Sequence, residues 1–315
     1  MEIFNALNHL KKENLPHSIM LISEDEHNLS EASSYFAKMV MCDSPIVDNT
    51  CLNCKKIDHF NHADVMIYPK DKQSISVEEM IILTQDVYLS PYEANSKVYI
   101  LNNFSNTSAL SQNKLLKTLE EPPKNVYFVL NVTNESKVLP TILSRCQKIY
   151  LPKYSSKDIE NFLKDKDFST QQKNDIVAFC YGAINRAKEF SENPNFFDTL
   201  DFCFDLWKNL RVSTKVLPYA SNLYNLKNNF KLFLFLYNAI LEDVLNTKLN
   251  MIDLVKNQQR IDEYKIIARD FSEKALLLIA KELTKINEKL ERNCNQNIVV
   301  DNFLLYVLEV RAKWQ

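Results

Sequence analysis

Residues 113–123 read N-K-L-L-K-T-L-E-E-P-P and residues 139–147 read L-P-T-I-L-S-R-C-Q, with the run V-Y-F-V-L-N at 126–131 between them. Leu115, Leu116 and Leu119 recur at helical spacing and make one apolar face. Glu120 and Glu121 stand at the end of that helix. Pro122 and Pro123 stop it, because proline lacks an N–H and its ring clashes with the preceding turn. Pro140 suits the first turn of a second, short helix, and Arg145 follows it at the edge of the next strand. Taken alone, Arg145 is an arginine that pairs with a nearby carboxylate.

On both sides of these segments, from Ser18 to Leu151, short apolar runs alternate with helical patterns. Ser18–Ile22, Val65–Tyr68, Val98–Leu101, Val126–Asn131 and Gln147–Leu151 read as strands. Asn28–Val40, Val77–Val87 and Ser108–Leu119 have helical spacing, with Asn28, Ser76 and Thr107 as the expected caps. Strands alternating with crossover helices predict a parallel sheet covered on both faces. After Pro152 the strand signal ends. A cluster of short helices is expected to about Asn193, then long amphipathic helices over Leu223–Leu249, Ile261–Arg292 and Val299–Trp314, so 315 residues divide into three domains at 1–151, 152–195 and 196–315.

The chain carries 38 basic and 40 acidic residues, a net charge of -2 that argues against a domain-wide electrostatic grip on nucleic acid and leaves a local patch open. Lys148, Lys153 and Lys157 read first as a solvated face, with an approach to DNA or a partner as the alternative. The most apolar stretch, Phe230–Leu241, is short and contains Lys231 and Asn238, so it reads as a buried helix and not as a membrane span. Met1–Lys12 lacks the basic start and apolar block of an export signal, and a cytoplasmic chain with no membrane partner is expected. In that setting the seven cysteines are thiols or metal ligands rather than disulfides.

Glycine is the most informative count. One glycine, Gly182, in 315 residues compares with a usual share of about 7%. A phosphate-cradling loop needs glycines so that successive backbone N–H groups can close around the anion, and this chain cannot build one.

The two motifs at 113–123 and 139–147, in this order and separation, resemble the clamp-loader branch of the AAA+ proteins. The resemblance implies an α/β AAA+ domain with a RecA-like parallel sheet and flanking helices, then a small helical lid and an all-α collar domain through which subunits form a ring. It implies that the S-R-C arginine, Arg145, projects into the ATP site of an adjacent subunit and stabilises the transferring phosphoryl group in trans, where such a finger contributes a thousandfold or more. Active relatives carry G-x-x-x-x-G-K-[ST] after the first strand. Here Ser23 and Asn28 replace the two glycines, Leu29 replaces the lysine, and only Ser30 matches. After the third strand Asn102 and Asn103 stand where relatives place carboxylates for magnesium and water. No ATP or Mg²⁺ is therefore expected in this chain's own site, and no intrinsic activity. Thr133, and Gly182 with Arg186, resemble a nucleotide-sensing position and the opening of the last lid helix.

Cys42, Cys51 and Cys54 have C-x8-C-x2-C spacing, and relatives add a fourth cysteine where this chain has Ile57. Two outcomes stay open: His59 completes a Cys3His zinc site, or the knob has lost its metal and keeps free thiols. The remaining cysteines, Cys146, Cys180, Cys203 and Cys294, read as buried small side chains. The function implied is a non-hydrolysing clamp-loader subunit, assembling with ATPase subunits and a delta-like subunit to load the sliding clamp on primed DNA. The alternatives are a divergent AAA+ ATPase that binds ATP itself, and an unrelated helical scaffold whose motifs coincide by chance.

Overall fold

The computed structural model describes residues 6, 7, 10, 12–44, 47, 49–70, 74–226, 229–292 and 294–314, so most of the N-terminal stretch read above for an export signal lies outside the described residues. The chain resolves into two compact units, residues 1–155 with 182–185, and residues 156–181 with 186–315. The first expected boundary thus falls at Ser155, and the one expected between 195 and 196 lies inside the second unit.

The first unit is a five-stranded parallel sheet. Its strands are β1 (Ser18–Ile22), β2 (Val65–Tyr68), β3 (Lys97–Leu101), β4 (Val126–Val132) and β5 (Gln147–Tyr150), in the order β2-β3-β4-β1-β5. Side chains alternate across a strand, and the core divides accordingly. Ile19, Leu21, Val98, Ile100 and Val129 join one apolar cluster with α1 (Glu26–Met41). Met20, Tyr99, Leu101, Phe128 and Leu130 join the other with α3 (Val77–Asp86) and α4 (Ala109–Glu120), α2 being the short helix Leu52–Asp58. This is the parallel sheet covered by helices on both faces that the alternating pattern predicts. Helices α1, α3 and α4 start where a side chain accepts an orphaned N–H group of the first turn. Ser76 caps α3 in a reciprocal box with Glu79, as expected. The other two caps differ from expectation: Asp25 rather than Asn28 caps α1, and Ser108 rather than Thr107 caps α4.

The second unit is helical: α6 (Ser156–Phe162), α7 (Thr170–Phe179), α8 (Ile184–Glu192), α9 (Phe196–Asn209), α10 (Val216–Asn225), α11 (Phe230–Lys248), α12 (Ile261–Arg269), α13 (Glu273–Glu291) and α14 (Gln296–Lys313), with α8 beginning in the first unit and α5 (Pro140–Leu143) belonging wholly to it. Two helices expected as continuous are broken, the 223–249 span being shared by α10, which ends at Asn225, and α11, which begins at Phe230. The 261–292 span breaks at Ser272, whose hydroxyl accepts the Ala275 N–H at 3.3 Å and so starts a new helix. Phe230, Phe233 and Tyr237 are buried in the bundle, and Trp207 stacks on Tyr237 with centroids 4.4 Å apart. Among the described residues no helix is long and apolar enough to cross a membrane.

Candidate functional site

The turn between β1 and α1 is where the sequence resemblance places a degenerate phosphate loop. It is short, because α1 begins at Glu26 and residues 26–30 are already helical. The free N–H groups and partial positive charge of a helix start attract an anion, and here the anion is the chain's own. Asp25, 4% exposed, accepts the His27 N–H through Oδ1 at 3.0 Å and the Ile184 N–H through Oδ2 at 2.7 Å. Ser23 Oγ accepts the Asp25 N–H at 3.1 Å. Asn28 is buried and its Nδ2 donates to the Pro152 carbonyl at 3.0 Å, while Leu29 is buried in the core. Where a phosphate loop offers open donors and a lysine, these positions offer a carboxylate, an engaged amide and an apolar side chain.

Ser30 is exposed and lines a cleft of about 350 Å³ together with Ser33, Ser34, Phe60, Lys70 and Asn102. At the corner after β3, Asn102 Oδ1 accepts from Asn131 Nδ2 at 2.7 Å, and the same amide reaches Ser33 Oγ at 3.2 Å. Asn103 adopts a left-handed backbone, φ 51°, and opens the next turn. Neither asparagine brings the carboxylate charge that would hold magnesium. Asn131 was not marked by the sequence, since a polar residue inside an apolar strand gives no sign of which neighbours it will join.

Arg145 follows α5 and is exposed at the surface, its side chain 32% exposed. Its guanidinium pairs with Glu120 at the end of α4 and donates to the Thr141 carbonyl at 2.7 Å and to Ser144 Oγ at 3.2 Å. The two sequence motifs therefore meet: the last residues of one hold the arginine of the other. Lys148 pairs with Glu135, and Lys153 lies 3.7 Å from Glu24, so both have local carboxylates.

The sulfurs of Cys42, Cys51 and Cys54 all lie within 4.8 Å of one another, with Cys42 and Cys51 3.8 Å apart. Two thiolates at about 2.3 Å from a tetrahedral zinc stand roughly 3.8 Å from each other, so the trio fits three ligand positions. Burial, with the two neighbouring thiols, pushes the Cys54 thiol up to about 12. His59 does not join them. It lies five residues beyond Cys54 and exposed at the end of α2, and at about 100° per residue that spacing turns it to the far side of the helix. Ile57, at the position of the missing cysteine, is buried as an apolar residue, and no further His, Cys, Asp or Glu among the described residues shares the cluster. Cys146, Cys180 and Cys203 are buried as expected; Cys294 is exposed, a correction that follows from its place in the turn before α14.

Thr133 donates its N–H to Ser105 Oγ at 3.0 Å. Arg186 lies over the Phe235 ring at 4.9 Å and donates to the Cys180 carbonyl at 3.3 Å, so its guanidinium is taken up within the second unit. Asp25 is the residue the sequence reading undervalued. An Asp immediately before an amphipathic run is a cap signal, whereas its second partner, Ile184, lies far along the chain.

Residues 2–155 match the family described as DNA polymerase III, delta subunit. Over 313 residues the chain is 23% identical to DNA polymerase III subunit delta' of Bacillus subtilis, covering 96% of this chain and 94% of that one. It is 25% identical over 277 residues to the subunit delta' of Buchnera aphidicola subsp. Baizongia pistaciae, covering 81% and 80%. A shorter likeness, 37% over 131 residues, covers 41% of this chain and 36% of the DNA polymerase III subunit gamma of Buchnera aphidicola subsp. Acyrthosiphon pisum.

Proposed function

We propose that this chain, similar over nearly its whole length to DNA polymerase III delta' subunits, is a non-hydrolysing clamp-loader subunit that lends Arg145 to ATP held by a neighbouring subunit. The observation that carries this reading is the contrast between two places in one domain. The cradle at the start of α1 is filled by Asp25, Asn28 and Leu29, whereas Arg145 stands at the surface in a pairing with an exposed carboxylate. Exposed ion pairs of this kind contribute about 0–1 kcal/mol, so the guanidinium can exchange Glu120 for a phosphate at small cost. Its planar fork then matches the equatorial oxygens of the transferring γ-phosphoryl group, and its fixed charge opposes the charge that develops there.

In this reading residues 152–195 serve as the lid and 196–315 as the collar that joins loader ATPase subunits and a delta-like subunit, while the sliding clamp and primed DNA are met through the complex. Zinc, held by Cys42, Cys51 and Cys54, stiffens the knob around α2 and takes no part in phosphoryl chemistry. The direct test of the filled cradle is equilibrium binding of labelled ATP with Mg²⁺ to the purified chain. No saturable binding at millimolar nucleotide is expected. Micromolar affinity would instead favour a divergent ATPase.

A further inference from the structure

Asp25, Asn28 and Glu31 recur every three residues and so share one side of the first turns of α1. All three reach to other parts of the same unit. Asp25 holds the Ile184 N–H at 2.7 Å, Asn28 holds the Pro152 carbonyl at 3.0 Å, and Glu31 accepts the Tyr154 hydroxyl at 2.7 Å. The two segments they reach are themselves joined, since the Tyr154 N–H donates to the Gly182 carbonyl at 2.9 Å. Gly182 shows how close that approach is. It has φ 73°, and a Cβ there would lie 2.7 Å from the Tyr154 carbonyl oxygen and 2.9 Å from Lys153 Cβ. A chain with one glycine in 315 residues has it where these segments meet.

We infer that the dismantled nucleotide site has become an internal clasp, in which the Asp25 carboxylate stands in for a phosphate and fixes the 182–185 turn without any nucleotide. The chemistry is that of an anion at a helix start with a second N–H donor aimed at it, supplied by side chain instead of by ligand. This deepens, and rests on, the proposal that the chain binds no ATP. Its consequence is that the turn opening α8 keeps one arrangement throughout any ATP cycle of the neighbours.

Residue-resolved hydrogen exchange on the full chain tests the clasp with Asp25→Asn and Asp25→Ser. Both replacements cap helices well, so the His27 amide should stay protected and the far-UV circular dichroism unchanged, and two variants keep the measurement available if one folds poorly. Neither offers a second carboxylate oxygen to Ile184, so its amide should exchange at least about tenfold faster, as loss of a charge-assisted bond implies. Wild-type exchange at Ile184 in both variants would overturn the clasp. That outcome is separate from ATP binding by the unaltered chain, which would overturn the reading beneath it.

Discussion

At the scale of single residues, the sequence pointed to Arg145 and to the losses at Asn28, Leu29, Asn102 and Asn103, because each lies within a run whose neighbours constrain it. What it did not reveal was partners distant along the chain. Asp25 and Ile184, or Asn131 with Ser33 and Asn102, are brought together by the sheet and not by spacing. The same holds for His62, whose side chain is fully buried and whose Nδ1 lies 3.7 Å from Glu93, besides accepting the nearby Asp64 N–H at 3.1 Å. Burial lowers its pKa from the ordinary 6.5, against an opposing pull from Glu93 and Asp64. The unfolded chain therefore takes up the proton first, so this contribution to stability is complete above about pH 6.5 and is lost as pH falls below it. Urea denaturation between pH 7.5 and 5.5 should show a decline that His62→Gln reduces; an identical slope in the variant would show that His62 is not its source.

At the scale of elements, all five strands were legible to within one residue at either end, since apolar runs bounded by polar turns leave little choice of register. Helix ends were less legible because caps depend on which oxygen reaches the first N–H groups, as Asp25 and Ser108 show. The break at Ser272 hides inside a continuous amphipathic pattern for the same reason. The knob around α2 was half legible: spacing brought three cysteines together, but helical rotation carried His59 away. Cobalt added to the purified chain should give intense thiolate-to-metal absorption, and Cys51→Ser should weaken it severalfold. Absence of that absorption in the unaltered chain would remove the metal from the account.

At the scale of the whole molecule, the motifs legible at 113–123 and 139–147 sufficed for the fold class, while the grouping of the helices after Ser155 was not readable because their apolar faces do not say which helices they meet. One contact inside the second unit illustrates this. Asp175 on α7 receives two bonds from Arg260 beside α12, at 2.8 and 2.7 Å, and the Asn257 amide at 2.9 Å, all buried. Arg260 also donates to Glu263 at 2.9 Å, so removing Asp175 leaves its charge partnered but strips it of two buried bonds, at a cost of about 1–3 kcal/mol. Asp175→Ala should lower stability by that amount in chemical denaturation, and a loss under about 1 kcal/mol would mean that water reaches Arg260.

The central claim is that this chain contributes an arginine across a subunit boundary while holding no nucleotide. It is tested most directly by the steady-state ATPase rate of a reconstituted loader, at saturating sliding clamp and primed DNA, with Arg145→Ala in this subunit alone. Turnover at the site facing Arg145 should fall about a thousandfold, leaving the rate of the other sites, with the assembled complex unchanged on gel filtration. Unchanged turnover, single-site cleavage included, in the intact complex would contradict the account.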